Sequence, residues 1–374
     1  MRIPRLKTLR NIALLGAAGT AAAGVGIGLA GFALWRKLGM RGENMSGQVV
    51  LITGSSRGLG FAMAQEFAHL GARLVICARQ PNELEWARAE LERMGAEVLA
   101  VRCDVSNRED VQEMVSAAMA RYGRIDVLVN NAGIISVGPL ETQTIGDFQE
   151  ALDVMFWGVV YPTLAVLPQM LRRRRGRIAN ITSIGGKVSV PHLLPYNCAK
   201  FAAVGFSEGL RAELAKDGIK VTTVVPGLMR TGSHVNASFK GDNRAEFSWF
   251  SVGASNPVTA MSGRRAARKI VNAVRRGRSE IILTPQAQML AMFHGLFPGI
   301  TCDMLGVVHR VLPGTGSTVQ DRHTGKESES GVSNSLLTAL GRKAGEELHQ
   351  YPERTEAQQR GTGTLGQGHP APAT

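Results

Sequence analysis

Val49-Val50-Leu51-Ile52-Thr53-Gly54-Ser55-Ser56-Arg57-Gly58-Leu59-Gly60-Phe61-Ala62 is the stretch that decides the fold. Four consecutive apolar residues predict a buried strand. Thr53 to Gly60 then turns into a helix expected over Phe61 to Leu70. Glycines at 54, 58 and 60 let backbone approach a bound group closely, and the exposed N–H groups of a helix start attract anionic phosphate. A tight turn would use the same glycines. The strand–turn–helix setting is what turns them into a phosphate cradle.

Outward from this turn the pattern repeats. Strands are expected at Ala72 to Ala78, Glu97 to Arg102, Ile125 to Asn130, Arg177 to Thr182, Lys220 to Val225 and Glu280 to Leu283. Helices are expected at Asn82 to Met94, Val111 to Arg121, about Gly146 to Arg173, Tyr196 to about Lys216, and Ala266 to Arg275. Alternation with apolar strands predicts an α/β fold: a parallel sheet covered by helices on both faces.

Two clusters carry chemistry. Tyr196 and Lys200 are four apart on an expected helix and share a face. An ammonium near a phenol favours the phenolate, so Lys200 is expected to lower the pKa of Tyr196 and fit it for proton transfer. Ser183 follows the apolar run Ile178-Ala179-Asn180-Ile181, and its hydroxyl is placed to hold a substrate carbonyl oxygen. A solvated Tyr/Lys pair would read the same in isolation. The second cluster is at the end of the second strand, where an acid would select the ribose 2′-hydroxyl of NAD. Ala78-Arg79 stands there instead, with Arg57 in the glycine turn. Two guanidiniums suit a 2′-phosphate, so NADP is the expected cofactor.

Together these residues resemble the short-chain dehydrogenase/reductase family over roughly residues 46–284. The resemblance rests on Thr53 to Gly60, Asp104-Val105, Asn130-Asn131-Ala132-Gly133, Ser183 with Tyr-x-x-x-Lys at Tyr196 and Lys200, and Pro226-Gly227 with Thr231. It implies a Rossmann-type doubly wound sheet and an NADP(H)-dependent oxidoreductase interconverting a carbonyl and an alcohol. Ser183, Tyr196 and Lys200 would be catalytic. Cofactor would meet Gly54 to Gly60, Arg79, Asp104 and Val105, Asn131-Ala132-Gly133, Tyr196, Lys200, Pro226-Gly227 and Thr231. One departure stands out. Met155 in Val154-Met155-Phe156-Trp157-Gly158 replaces a family asparagine that bends the helix and anchors a relay water. Methionine cannot hold that water through its side chain. A tolerated variation and a catalytically silent NADP-binding membrane scaffold are the two readings of that change.

The flanks differ in kind. Residues 12–35 contain no charge and span ~36 Å as a helix, enough for a bilayer core of ~30 Å. Arg2, Arg5, Lys7 and Arg10 precede the run; Arg36 and Lys37 follow it. It is expected to be a single-pass anchor occupying residues 1–45 with the catalytic domain cytoplasmic. A cleaved leader ending near Ala21-Ala22-Ala23 is the competing reading. Residues 285–313 are expected to be an apolar extension, and 314–374 a mostly disordered tail with one short helix near Leu336 to Leu348.

The 374 residues carry a net charge of +13, seven of the basic residues within residues 1–42. Aromatics are only 5%, which argues against nucleic-acid binding. Four scattered cysteines give no disulfide framework or zinc pattern, so no metal is expected. Phe239, Phe247, Trp249 and Phe250, with Val188, Val190, Leu193 and Leu194, suggest an apolar, lipid-like substrate; the aromatics would equally serve as core or in a homo-oligomer contact. His192 is expected at the surface or touching substrate.

Overall fold

The alternation inside the first strand is what builds two cores. In a strand, successive side chains leave opposite faces of the sheet. Val50 and Ile52 join a cluster with Phe61, Met63, Phe67, Ile270 and Val274. Val49 and Leu51 join another with Val111, Met114, Val166, Met170 and Ala199. Every residue of Val49–Thr53 is buried, as the unbroken apolar run requires.

The computed structural model describes residues 42–316, 321–331, 333, 335 and 338–351. Seven strands form its main sheet: β1 (Val49–Thr53), β2 (Arg73–Ala78), β3 (Val98–Arg102), β4 (Val127–Asn130), β5 (Gly176–Ile181), β6 (Ile219–Val225) and β7 (Glu280–Ile282). Their order is β7-β6-β5-β4-β1-β2-β3, with every pairing parallel. This is the Rossmann-type doubly wound arrangement, and the order reverses between β1 and β4. In such sheets a crevice opens at that point, beyond the carboxyl ends of the strands.

Helices α1 (Gly58–His69) and α2 (Pro81–Arg93) follow β1 and β2, and α3 (Arg108–Tyr122) follows β3. Asn107 caps α3 by accepting from the Glu109 and Asp110 N–H groups. The expected long helix is α4 (Ile145–Leu152), a π turn over Asp153–Trp157, and α5 (Gly158–Arg173). Thr144 and Asp147 close a capping box at its start. By length and composition Ile145–Arg173 would cross a membrane, but more than half of its most apolar window is buried in this fold, so it is a core helix. Helix α6 (Leu194–Leu214) follows β5, and α7 (Asn243–Ser255) and α8 (Gly263–Arg275) follow β6.

After β7 come α9 (Pro285–Leu296) and α10 (Pro298–His309). Only Ala287 and Thr301 are buried in them, while Met289, Met292, Leu296, Ile300, Met304 and Val307 are exposed. Of the segment after residue 314, the described residues include the short helix expected near Leu336 to Leu348 and contacts with the rest of the fold. Arg322 bonds to Asp147 and Glu150, Ser328 is buried, and α11 (Ala339–Glu347) packs so that Leu348 and Tyr351 are buried. These described residues find partners on the α/β fold. The apolar run at 12–35 lies outside the described residues.

Candidate active site

The glycine turn is held from two sides. At Gly60 a Cβ would stand 2.2 Å from the Gly54 carbonyl oxygen and 2.5 Å from Asn131 Nδ2, so only glycine fits. Asn131 Nδ2 donates to the Thr53 and Gly54 carbonyls, both at 2.9 Å. Thr53 Oγ1 accepts from the N–H groups of Asn131 and Ala132. Asn131 is therefore a brace between β1 and β4. At the start of α1 the N–H groups of Leu59 and Gly60 have no acceptor among the described residues, which leaves a cradle that suits phosphate.

At the far side of this turn lie the charged groups expected to choose the dinucleotide. Arg57 Nη1 bonds Glu83 Oε1 at 2.7 Å, and Ser56 Oγ donates to the same carboxylate at 3.3 Å. Arg79 is largely exposed, 3.9 Å from Asp104. Asp104 also accepts from the Ser106 N–H and hydroxyl. The two arginines thus differ: Arg79 is held loosely, and Arg57 is held by an acid that sequence spacing did not reveal.

Ser183, Tyr196 and Lys200 come together across β5 and α6. The Ser183 hydroxyl faces the Tyr196 phenol and accepts from the Gly185 N–H at 3.0 Å. Lys200 Nζ lies 5.8 Å from the centre of the Tyr196 ring and donates to the Ile181 carbonyl at 2.9 Å. The expectation that Lys200 lowers the phenol's pKa is not met in this fold. Desolvation raises the Tyr196 pKa, and the Ser183 hydroxyl is what opposes it. Burial pushes Lys200 itself down to about 8.

Met155 is buried in the π turn, and a Cβ added at Gly133 would lie 3.8 Å from its sulfur and 3.7 Å from Lys200 Nζ. The helix distorts here without an asparagine. Val105 packs against Gly158, where a Cβ would come within 2.7 Å of its methyl. The Pro226 carbonyl accepts from the Ile184 N–H, Gly227 lies against Thr284, and buried Thr231 donates to Ser233.

His192 corrects another expectation, since it is buried with a positive φ of 64°. Its Nδ1 bonds Glu246 at 2.6 Å, and its Nε2 lies 3.1 Å from His309 Nδ1. Trp249 Nε1 donates to the other Glu246 oxygen at 2.6 Å. This network ties the loop before Tyr196 to α7 and α10. The three-residue spacing of Glu246 and Trp249 was its only local signal. Phe239 and Phe247 are buried in a satellite core with Leu193, Trp249 and Phe250 against it.

Residues 48–240 match the short chain dehydrogenase family (adh_short), and the chain belongs to that family. It is 35% identical over 255 residues to the "Dehydrogenase/reductase SDR family protein 7-like" of Anopheles gambiae, covering 67% of this chain and 78% of that one. It is 30% identical over 276 residues to "Estradiol 17-beta-dehydrogenase 11" of Macaca fascicularis, covering 73% and 82%. The fold is similar to L-sorbose reductase from Gluconobacter frateurii, complexed with NADPH and L-sorbose. That match has a TM-score of 0.59, 28% identity and coverage of 65% of this chain and 97% of that one. The chain is thus an oxidoreductase by family.

Proposed function

We propose that the protein is an NADP(H)-dependent oxidoreductase that interconverts a carbonyl and an alcohol on an apolar, lipid-like substrate. The observation that carries this reading is the meeting of Ser183, Tyr196 and Lys200 in one buried site, with Lys200 Nζ 5.8 Å from the centre of the Tyr196 ring. The site fits a dinucleotide: the unaccepted N–H groups at the start of α1 would take its diphosphate, and Gly60 lets the turn close beneath it. Arg79 and Arg57 would take the 2′-phosphate, and Asp104 with Val105 the adenine side. Asn131, Ala132 and Gly133 would line the cleft, with Pro226, Gly227 and Thr231 opposite. When bound, the cofactor supplies the hydride.

In reduction, Ser183 orients the carbonyl oxygen and Tyr196 gives it the phenolic proton. Lys200 is mostly charged at neutral pH, because its pKa stays near 8. Its ammonium, 5.8 Å from the centre of the Tyr196 ring, would hold the nicotinamide ribose. The aromatic satellite core beside Leu193 supports an apolar substrate, and similarity to a protein named estradiol 17-beta-dehydrogenase points toward steroid-like compounds. Residues 12–35 would anchor the protein in a membrane by a single pass, with the catalytic domain in the cytoplasm.

The test is NADPH oxidation over a panel of apolar aldehydes and ketones, by wild type and Tyr196→Phe. The expected loss is about 10²-fold or more in the variant. Dinucleotide binding with no Tyr196-dependent turnover would overturn the enzymatic reading and favour the silent scaffold.

A further inference from the structure

We infer that Gln350 is a further cofactor-binding residue, and that its carboxamide N–H donates to the cofactor's diphosphate at the start of α1. The inference rests on the dinucleotide reading above.

The segment after α11 returns to the glycine turn. The Leu348 carbonyl accepts from the Gly58 N–H at 2.8 Å. His349 stacks on Trp86 of α2, with ring centres 3.6 Å apart and planes within 6°. Gln350 is wedged between two glycines of positive φ. A Cβ at Gly58 would lie 2.6 Å from Gln350 Nε2, and one at Gly232 would lie 3.2 Å from Gln350 Cγ. Gly232 follows Thr231, so Gln350 bridges the glycine turn and the segment after β6. Those are the two walls between which a dinucleotide would run.

The polar atoms of Gln350 are unequally satisfied. Asn236 Nδ2 donates to Gln350 Oε1 at 2.7 Å and to its main-chain carbonyl at 3.2 Å. The Gln350 main-chain N–H is taken by the Gly345 carbonyl at 2.8 Å. That leaves Nε2 as the side chain's only donor, and no acceptor for it lies among the described residues. Gln350 is only 3% exposed. A carboxamide N–H with no acceptor there is free to bond a ligand. The neighbouring open groups, Leu59 N–H and Gly60 N–H, are donors too. Three donors converging on one helix start call for an anion. Asn236 fixes which end of the amide faces the turn, because it can satisfy only the oxygen.

The experiment uses the full chain in detergent and measures equilibrium binding of NADPH and of NADH by nucleotide fluorescence. Three proteins are compared: wild type, Gln350→Met and Gln350→Glu. Glutamate keeps the acceptor for Asn236 but turns the donor into a negative charge; methionine removes both with little change of volume. If Gln350 serves the diphosphate, Gln350→Glu loses about 30-fold or more in affinity. Gln350→Met then loses less, about 3- to 10-fold. Both losses should be equal for NADPH and NADH, which share the diphosphate. Thermal unfolding identifies either variant that fails to fold, in which case the other carries the comparison with wild type. A structural role alone predicts the reverse order, with glutamate tolerated and methionine harmful, and would overturn the inference. Wild type binding both nucleotides and Gln350→Glu binding them as tightly would overturn it as well, leaving the dinucleotide reading intact. Failure of wild type to bind either nucleotide would overturn that reading first, and this inference with it.

Discussion

The Lys200 ammonium donates to the Ile181 carbonyl at 2.9 Å, at the carboxyl end of β5, while its neighbour Tyr196 faces Ser183. The lysine is buried in a site that disfavours its charge, and that has a measurable consequence. A lysine whose pKa falls to about 8 on folding from an ordinary 10.5 binds fewer protons folded than unfolded between those values. Stability therefore rises with pH through that window, by at most about 1.4 kcal/mol per unit. Tyr196, held above its ordinary value of 10, acts in the opposite sense at higher pH. Urea unfolding between pH 8 and 10 should show the rise in wild type and a smaller rise in Lys200→Met.

Removing the Ser183 hydroxyl takes away the group that opposes desolvation of the phenol. Ser183→Ala should therefore raise the Tyr196 pKa further. In alcohol oxidation, where the phenolate is the base, the rising limb of the pH–rate profile should move to higher pH. The rate itself should fall about 10²-fold. An unchanged limb would show that Ser183 acts on the substrate alone.

Gly60→Ala should abolish dinucleotide binding. The new methyl would meet the Gly54 backbone and Asn131, so the turn must open. Strain of this kind costs about 1–3 kcal/mol. Binding titration and thermal unfolding both report it, and normal affinity would show that the turn can yield.

Glu246 is fully buried and held by His192 and Trp249. His192→Ala leaves the carboxylate short of its charged or polar partner. Breaking a buried pair from one side costs about 3–5 kcal/mol. Denaturant unfolding should show that loss in His192→Ala, and a smaller one in His192→Ala with Glu246→Gln.

Met155→Asn should change kcat by only a few-fold. The π turn forms without asparagine, and the methionine is already packed beside Gly133. A buried amide without a full set of partners costs about 1–3 kcal/mol, so stability should fall. A gain of tenfold or more in kcat would show instead that the native chain is catalytically handicapped.

Much of this architecture was legible because its signals are local. The four-residue spacing of Tyr196 and Lys200 needs only a helix to place both on one face, and β1 announces itself in Val49 to Ile52. What spacing could not tell is where the ammonium would point. Its hydrogen bond is to Ile181, on a different element, so the direction of the Tyr196 shift was misjudged. Burial of His192 depends on Glu246 and His309, far along the chain. The Arg57–Glu83 pair was hidden for the same reason, since Glu83 belongs to the next helix. The return of Leu348 to Gly58 joins a polar, glycine-rich segment to a turn about 290 residues earlier. No local pattern encodes such a contact.

That return also orders events in time. Gly58 leaves the ribosome about 290 residues before Gln350. Until Gln350 has been made, the crevice beside the glycine turn has a floor and no outer rim, and a full grip on any nucleotide there would come only afterwards.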